Sequence, residues 1–378
     1  MRILIVTHNY PINAAERRNA GIFVHDFARE LVKSGVDVNV FCPSSSINKS
    51  EVEGIPLRWF KWGSKKKSLK ELKLWKPFDL FETTVFLIKG MQSSLKYARE
   101  VEPDLCISMW AVPSGVFTYI INKKLGIPYC VWVLGSDIYV YSRIPLVGQL
   151  IRSILRSAKF LFSDGIDLAH QVKKISGKKC FFLQSGTRFS PSKKQIKRDS
   201  ANTILTFVGR MESEKGPDLL VDALLELDEK TCKTLKVNFL GDGSLLRQLK
   251  KRVQKSKLNS ITSFYGNVDS PNRIFDIISQ SDWLIIPSRS DSIPLVFSEA
   301  MKAETPVIAS ALYDLKFLVN RYKVGILFKP EDKKALSKII RTLPSQKKRN
   351  LLSKNTKEVA DFFNLNLTAK RFLKIIYG

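Results

Sequence analysis

Histidine and cysteine are scarce in this chain of 378 residues, with three of the first and five of the second. The cysteines (Cys42, Cys106, Cys130, Cys180 and Cys232) form no Cys-x-x-Cys pair, are odd in number, and four of them sit inside apolar runs. That pattern excludes a disulfide framework or a zinc knuckle as the organising device and points to buried thiols in a reducing cytoplasm. No Asp-x-Asp motif for a divalent metal occurs. No apolar run approaches the ~20 residues of a membrane-spanning helix. Met1 to Val6 reads as a strand rather than a signal peptide, so a soluble or peripheral cytoplasmic protein is expected. Acidic residues are few, 35 against 62 lysines and arginines, for a net charge of +27. The excess is +13 in residues 1–190 and +14 in 191–378, so it is no basic tail. Such a surface attracts anionic lipid, nucleic acid or acidic glycans; the plainer reading is that many lysines solvate helix faces.

An apolar fraction of 44% is that of a globular protein, and the length suits two domains. In the first half, apolar strands alternate with helices: Ile3–Thr7, Asp37–Phe41, Leu57–Phe60, Asp104–Met109, Tyr129–Leu134, Phe160–Ser163 and Cys180–Leu183 against Gly21–Lys33, Thr84–Arg99, Gly115–Leu125 and Gly148–Arg156. The second half repeats the scheme from Ile204 onwards. Continuous apolar strands separated by helices predict doubly wound parallel sheets with both faces covered. Ser190 to Ser200 is polar, charged and turn-rich, which marks a linker. The expected division is a first domain over 1–190, a second over 191–360 and a terminal segment over 361–378.

The most informative stretch is Pro287 to Met301, PSRSDSIPLVFSEAM. The apolar run Trp283–Ile286 before it reads as a buried strand, and Leu295 to Lys302 after it as a helix. A strand, tight loop and helix start present unpaired N–H groups and the positive end of a helix dipole, an anion site. Asp291 and Glu299 bracket it. Carboxylates beside a phosphate cradle are costly unless they meet something neutral and rich in hydroxyls, and a nucleotide-sugar has both parts. Because Pro294 lacks an N–H, the donor-facing amides are those of Ser292, Ile293, Leu295 or Val296.

The stretch resembles the Glu, seven residues, Glu motif of the family-four retaining glycosyltransferases (glycosyl transferases group 1), with Asp291 in the first acidic place and Glu299 in the second. Glu299–Ala300–Met301, Thr305–Ala309, Phe207–Arg210 and Lys215–Gly216 continue the resemblance, which covers essentially the whole chain and is strongest over 203–330. It implies a GT-B fold, two Rossmann-like doubly wound α/β domains facing a cleft, with the last helix (Leu365–Tyr377) crossing back to the first domain. It further implies that Arg210 and Lys215, in the loop after Ile204–Val208, clamp the diphosphate of the donor in place of a metal. Glu299 would chelate ribose hydroxyls, Asp291 would touch the transferred sugar, and Asn267 and Val268 would border the base. Solvated loop charges, a dipole-complementing glutamate and a plain connector at Gly241–Gly243 are the competing structural readings.

In the first domain the resemblance implies that Gly21 lets backbone approach the donor phosphates, and Gly135 and Asp137 follow a strand on the acceptor side. Leu134 stands where many relatives have histidine. His8, at the end of the first strand, is a candidate for the same region, with a structural turn histidine as its alternative. A retaining front-face reaction dispenses with a general base because the leaving phosphate takes the proton; an inverting one requires a base, for which Asp137 is the single candidate. Two further departures fall at Glu304, where a glycine is usual, and at Ala311–Asp314, where the family has a Gly-Gly loop near the donor sugar.

Trp59 to Lys76 interleaves Trp and Leu with seven lysines, a pattern that suits an anionic membrane face or a solvated loop. The leading expectation is a retaining glycosyltransferase that needs no metal or cofactor and moves a hexose-type sugar from a nucleoside diphosphate to a glycan or lipid-linked acceptor, with no nucleic-acid partner. A non-catalytic polyanion or nucleic-acid binder on the same scaffold, and a different GT-B enzyme such as an epimerase, are the alternatives.

Overall fold

The computed structural model describes residues 1–11, 21–44, 50–62, 76–186, 202–268 and 270–378. The expected linker 190–200, most of the loop 9–19 and Lys65 to Trp75 of the basic stretch lie outside these residues. The chain divides into two compact units, Met1–Ser185 together with Leu365–Gly378, and Gly186–Asn364.

The first unit opens with β1 (Arg2–Val6), α1 (Ile22–Lys33), β2 (Asp37–Ser44), β3 (Glu51–Val52) and β4 (Ile55–Lys61). It continues through α2 (Pro77–Val101), β5 (Leu105–Met109), α3 (Ser114–Leu125) and β6 (Tyr129–Val133). The short α4 (Ser136–Tyr139), α5 (Pro145–Ser157), β7 (Phe160–Ser163), α6 (Ile166–Ser176) and β8 (Cys180–Phe182) complete its main segment. These strands form one eight-stranded sheet in the order β3-β4-β2-β1-β5-β6-β7-β8. All neighbours are parallel except β3, which turns back on β4. Glu53 and Gly54, both at positive φ, make that tight turn. The central strands β1, β5 and β6 are buried nearly end to end, the signature of a sheet covered on both faces.

The second unit contains β9 (Thr203–Val208), α7 (Pro217–Leu225), α8 (Glu229–Lys233), β10 (Leu235–Leu240), α9 (Leu246–Gln254), β11 (Thr262–Gly266) and α10 (Pro271–Gln280). Then come β12 (Trp283–Ile286), α11 (Leu295–Lys302), β13 (Val307–Ser310), α12 (Tyr313–Tyr322), β14 (Gly325–Phe328), α13 (Lys333–Arg341) and α14 (Gln346–Phe362). Its six parallel strands run in the order β11-β10-β9-β12-β13-β14.

Most expected elements coincide with these within two or three residues. Helix α2 starts seven residues before Thr84, with Pro77 in the first turn where a missing N–H is harmless. Helices α4, α6, α8, α12 and α14 are not among the expected ones. Helix α14 is so polar that Thr356 and Val359 are its only fully buried residues, which leaves no apolar stripe to read. The five cysteines are free, four of them buried, and burial pushes the Cys106 thiol up to about 12.

The final helix α15 (Leu365–Tyr377) joins the first unit. Phe372 is fully buried, its ring centroid 5.4 Å from Phe27 and 5.1 Å from Phe162, and Thr368 donates to the Gln184 carbonyl at 3.2 Å. Phe372→Ala should destabilise the first unit by about 3–5 kcal/mol, read as a lower urea midpoint. A loss under about 1 kcal/mol would show that α15 contributes little to that core.

Candidate functional site

In the second sheet the chain winds outward from β9 to β10 and β11 on one side, and from β12 to β13 and β14 on the other. The order reverses between β9 and β12, which pair through Leu205 with Trp283 and Thr206 with Leu284. Helices leaving adjacent strands toward opposite faces open a crevice at the carboxyl ends, where ligands of open α/β sheets bind. The two loops at that point are Gly209–Gly216 and Pro287–Pro294. They carry Arg210, Lys215 and Asp291.

These loops are joined at three places. Gly216 has φ 69°, and a Cβ there would lie 2.1 Å from the Pro287 carbonyl oxygen, so no larger residue fits. Arg289 forms a two-pronged pair with Asp218 at 2.8 Å on each side, donates from Nη1 to the Ser213 carbonyl at 2.5 Å, and reaches Glu331 through Nε at 2.7 Å. Its amide donates to the Glu214 carbonyl at 2.8 Å. Lys215 Nζ donates to both oxygens of Asp291, at 2.6 and 2.9 Å. Thus two residues expected to serve different parts of a ligand are here bonded to each other.

Arg210 is exposed and makes no ion pair among the described residues. Neighbouring Glu212 accepts from the Ser244 hydroxyl at 2.6 Å and amide at 2.9 Å, bonds that hold its carboxyl below the usual range. Beyond the loop, Pro294 caps α11 without a side-chain bond, and the amides of Ser292, Ile293, Leu295 and Val296 have no acceptor among the described residues. Glu299, partly accessible, likewise has no hydrogen-bond partner there. Desolvation drives its carboxyl up to about 7, against a smaller opposing pull from Lys302. The site therefore holds one cation in no close ion pair, one paired cation, four unpaired amides and a desolvated carboxyl.

Asn267 is exposed and Val268 buried just past β11. Gly266 accepts the Gly241 amide at 2.7 Å, and a Cβ on Gly241 would meet the Gly209 carbonyl at 1.9 Å. Gly241 is thus required by packing of the chain on itself. Ser292 donates to Asp314 at 3.1 Å, so the Ala311–Asp314 departure supplies an anchor for the Asp291 loop. Glu304 sits at φ 53°, the left-handed conformation that explains the glycine usual in relatives.

In the first unit, Gly21 has φ 67° and a Cβ would lie 2.0 Å from the Asn9 carbonyl. What approaches it closely is the chain's own backbone. His8 lies over Trp110, centroids 4.5 Å apart, with Nδ1 3.3 Å from the Ser114 hydroxyl, the setting of a packed turn histidine. Gly135, at φ 109°, precedes α4. Asp137 requires a correction as a candidate base. It has no exposed surface, accepts from the Ala111 amide at 2.8 Å and the Leu134 amide at 3.3 Å, and braces two strand ends. Burial raises its carboxyl to about 6 while those amides oppose the rise. No group of three potential metal-binding side chains occurs among the described residues.

The sequence profile of glycosyl transferases group 1 matches residues 189–359, the span that carries Arg210, Lys215, Asp291 and Glu299. Over that span the chain is similar to the family. A relative from Bacillus subtilis (strain 168), the putative teichuronic acid biosynthesis glycosyltransferase TuaC, is 25% identical over 367 residues, covering 90% of this chain and 88% of its own. Among solved structures, sucrose-phosphate synthase from Thermosynechococcus elongatus superposes with a TM-score of 0.79 at 21% identity, covering 100% of this chain and 98% of that one. Anabaena Alr3699/HepE, crystallised with UDP, gives 0.72 at 16% identity and covers 100% of both chains. These likenesses identify the fold as GT-B. The chain is a glycosyltransferase.

Arg289 and Asp218 of this glycosyltransferase carry no sequence signal for their part in the site. Arg289 lies inside the motif, yet its partner is 71 residues away, and no local spacing announces such a pair. Glu299 offers a direct test. Its folded carboxyl titrates near 7 against an ordinary 4.5, so ionisation opposes folding, and stability is lost as pH rises from about 4.5 through 7. Glu299→Gln should match wild type below pH 4 and melt higher than wild type at pH 8. No advantage at pH 8 would show that the carboxyl is not desolvated.

Proposed function

We propose that this enzyme transfers a hexose-type sugar from a nucleoside diphosphate donor to a glycan or lipid-linked acceptor, with retention of anomeric configuration. The observation that carries the reading is the gathering, at the switch point between β9 and β12, of Arg210, Lys215, the amides beginning α11 and Glu299. In this reading the cations and amides stabilise charge on the departing diphosphate, and Glu299 receives ribose hydroxyls. The inward-bonded carboxylate of Asp137 favours the front-face course, in which the leaving phosphate takes the acceptor proton. A net charge of +27 suits an anionic acceptor, and TuaC, by its name, is a putative glycosyltransferase of teichuronic acid biosynthesis.

Assayed in excess EDTA with nucleoside diphosphate sugars, the wild type should hydrolyse or transfer one of them. Arg210→Ala and Lys215→Ala should each lose roughly a hundredfold, about 3 kcal/mol of transition-state stabilisation, while melting near wild type. Folded variants within a few-fold of wild type, or activity abolished by EDTA, would overturn the assignment.

Peripheral binding to an anionic membrane through the first unit is part of this reading. No helix among the described residues is long and apolar enough to cross a membrane. Helix α2, however, buries Asp79 and Glu82 while leaving Leu80 50%, Phe81 65% and Ile88 46% exposed, directly after a stretch with seven lysines. Each lysine near an anionic surface contributes about 1 kcal/mol, and inserted aromatic rings add apolar burial. Changing Lys65, Lys66 and Lys67 to Gln, or Phe81 to Ser, should weaken sedimentation with phosphatidylglycerol vesicles and leave nucleotide binding unchanged. Undiminished sedimentation of both variants would reduce the segment to a solvated loop.

A further inference from the structure

Lys215 does not wait unpaired for a phosphate. Its ammonium group donates to both oxygens of Asp291, in a setting where the two side chains are 24% and 15% exposed. A pair so sheltered is screened less than a surface ion pair and competes with an incoming anion more strongly. The pairing is also imposed by the surrounding loops. Gly216, next to Lys215, is pressed against the Pro287 carbonyl, and Arg289, two residues before Asp291, is locked to Asp218, Ser213 and Glu214. Neither loop can carry its charged residue away from the other without breaking these contacts.

We propose that Asp291 is a resident counter-ion of Lys215 that changes partners when the donor binds. The inference rests on the function proposed above. The diphosphate takes Lys215 while hydroxyls of the transferred sugar take Asp291, so a complete donor satisfies both groups. A nucleoside diphosphate without its sugar satisfies only one and leaves a desolvated carboxylate facing it. The site consequently prefers donor over nucleoside diphosphate. Once the sugar has moved to the acceptor, Asp291 regains Lys215 and loosens the spent product. Arg210, which makes no close ion pair among the described residues, makes the first contact with either ligand. Asp291 is in this sense a positioning and release residue, and its aspartate length suits the short bidentate contact.

Inorganic pyrophosphate, a diphosphate with no sugar, is the probe, titrated by calorimetry at fixed ionic strength. Asp291→Asn should tighten its binding by roughly fivefold or more, the scale of one ion pair that no longer competes, even as turnover falls. In a Lys215→Ala background the same change should give a clearly smaller gain, since only general repulsion is then relieved. Arg210→Ala should weaken binding in every background. Affinity that depends on Arg210 but ignores Asp291, or that gains equally with and without Lys215, overturns the counter-ion role and leaves the proposed function standing. Binding that is absent, or indifferent to both Arg210 and Lys215, overturns the proposed function and the exchange with it.

Discussion

The chemistry of the second unit depends on a contact between two loops, Gly216 against the carbonyl of Pro287. Because that approach leaves no room for a Cβ, the turn ending in Lys215 and the loop leading to Asp291 meet backbone to backbone. Arg289 then closes the arrangement with a planar fork on Asp218, a geometry that lysine could not reproduce. Site-forming loops in open α/β sheets face solvent and have few apolar contacts to hold them. Here, polar cross-links fulfil the role that a core plays elsewhere.

The distribution of charge follows from the same cross-links. In a strongly basic chain, acids are few, and at this site nearly all are engaged: Asp218 by Arg289, Glu212 by Ser244, Asp291 by Lys215, and Asp314 by Ser292. Arg210 is left without a close ion pair among the described residues, and Glu299 as a carboxyl without a hydrogen-bond partner there. A group desolvated up to about 7 has most to gain from ligand hydroxyls, because their donated hydrogen bonds stabilise its charged form. In the first unit Asp137 likewise braces two strand ends, while Leu80, Phe81 and Ile88 of α2 are exposed.

Fold class and the strand, loop and helix that carry the candidate residues were legible in the sequence because both rest on local pattern. Continuous apolar runs of four to six residues, each followed by a helical segment, are readable without partners. So is the strand, loop and helix around Pro287 to Met301. Helix α14, whose only fully buried residues are Thr356 and Val359, offers no such pattern. Asp137 was legible as a residue at a strand end but not as a brace, since its acceptance of the Ala111 amide joins positions 26 apart. Gly21 and Gly241 were legible as special glycines, whereas what approaches them closely, the chain itself, was not.

By itself, then, the sequence determined the alternation of strand and helix, the resemblance to the glycosyl transferases group 1 over its second half, and the choice of Arg210, Lys215, Asp291 and Glu299 as the residues of interest. Tertiary structure alone decided how those residues relate. It joined Lys215 to Asp291 across 76 positions, fastened Arg289 to Asp218, and desolvated Glu299. The reason is physical. Periodicity and capping act over a turn or two of chain, but ion pairing and desolvation depend on distances set by strand order, and the reversal between β9 and β12 appears only once the sheet is assembled.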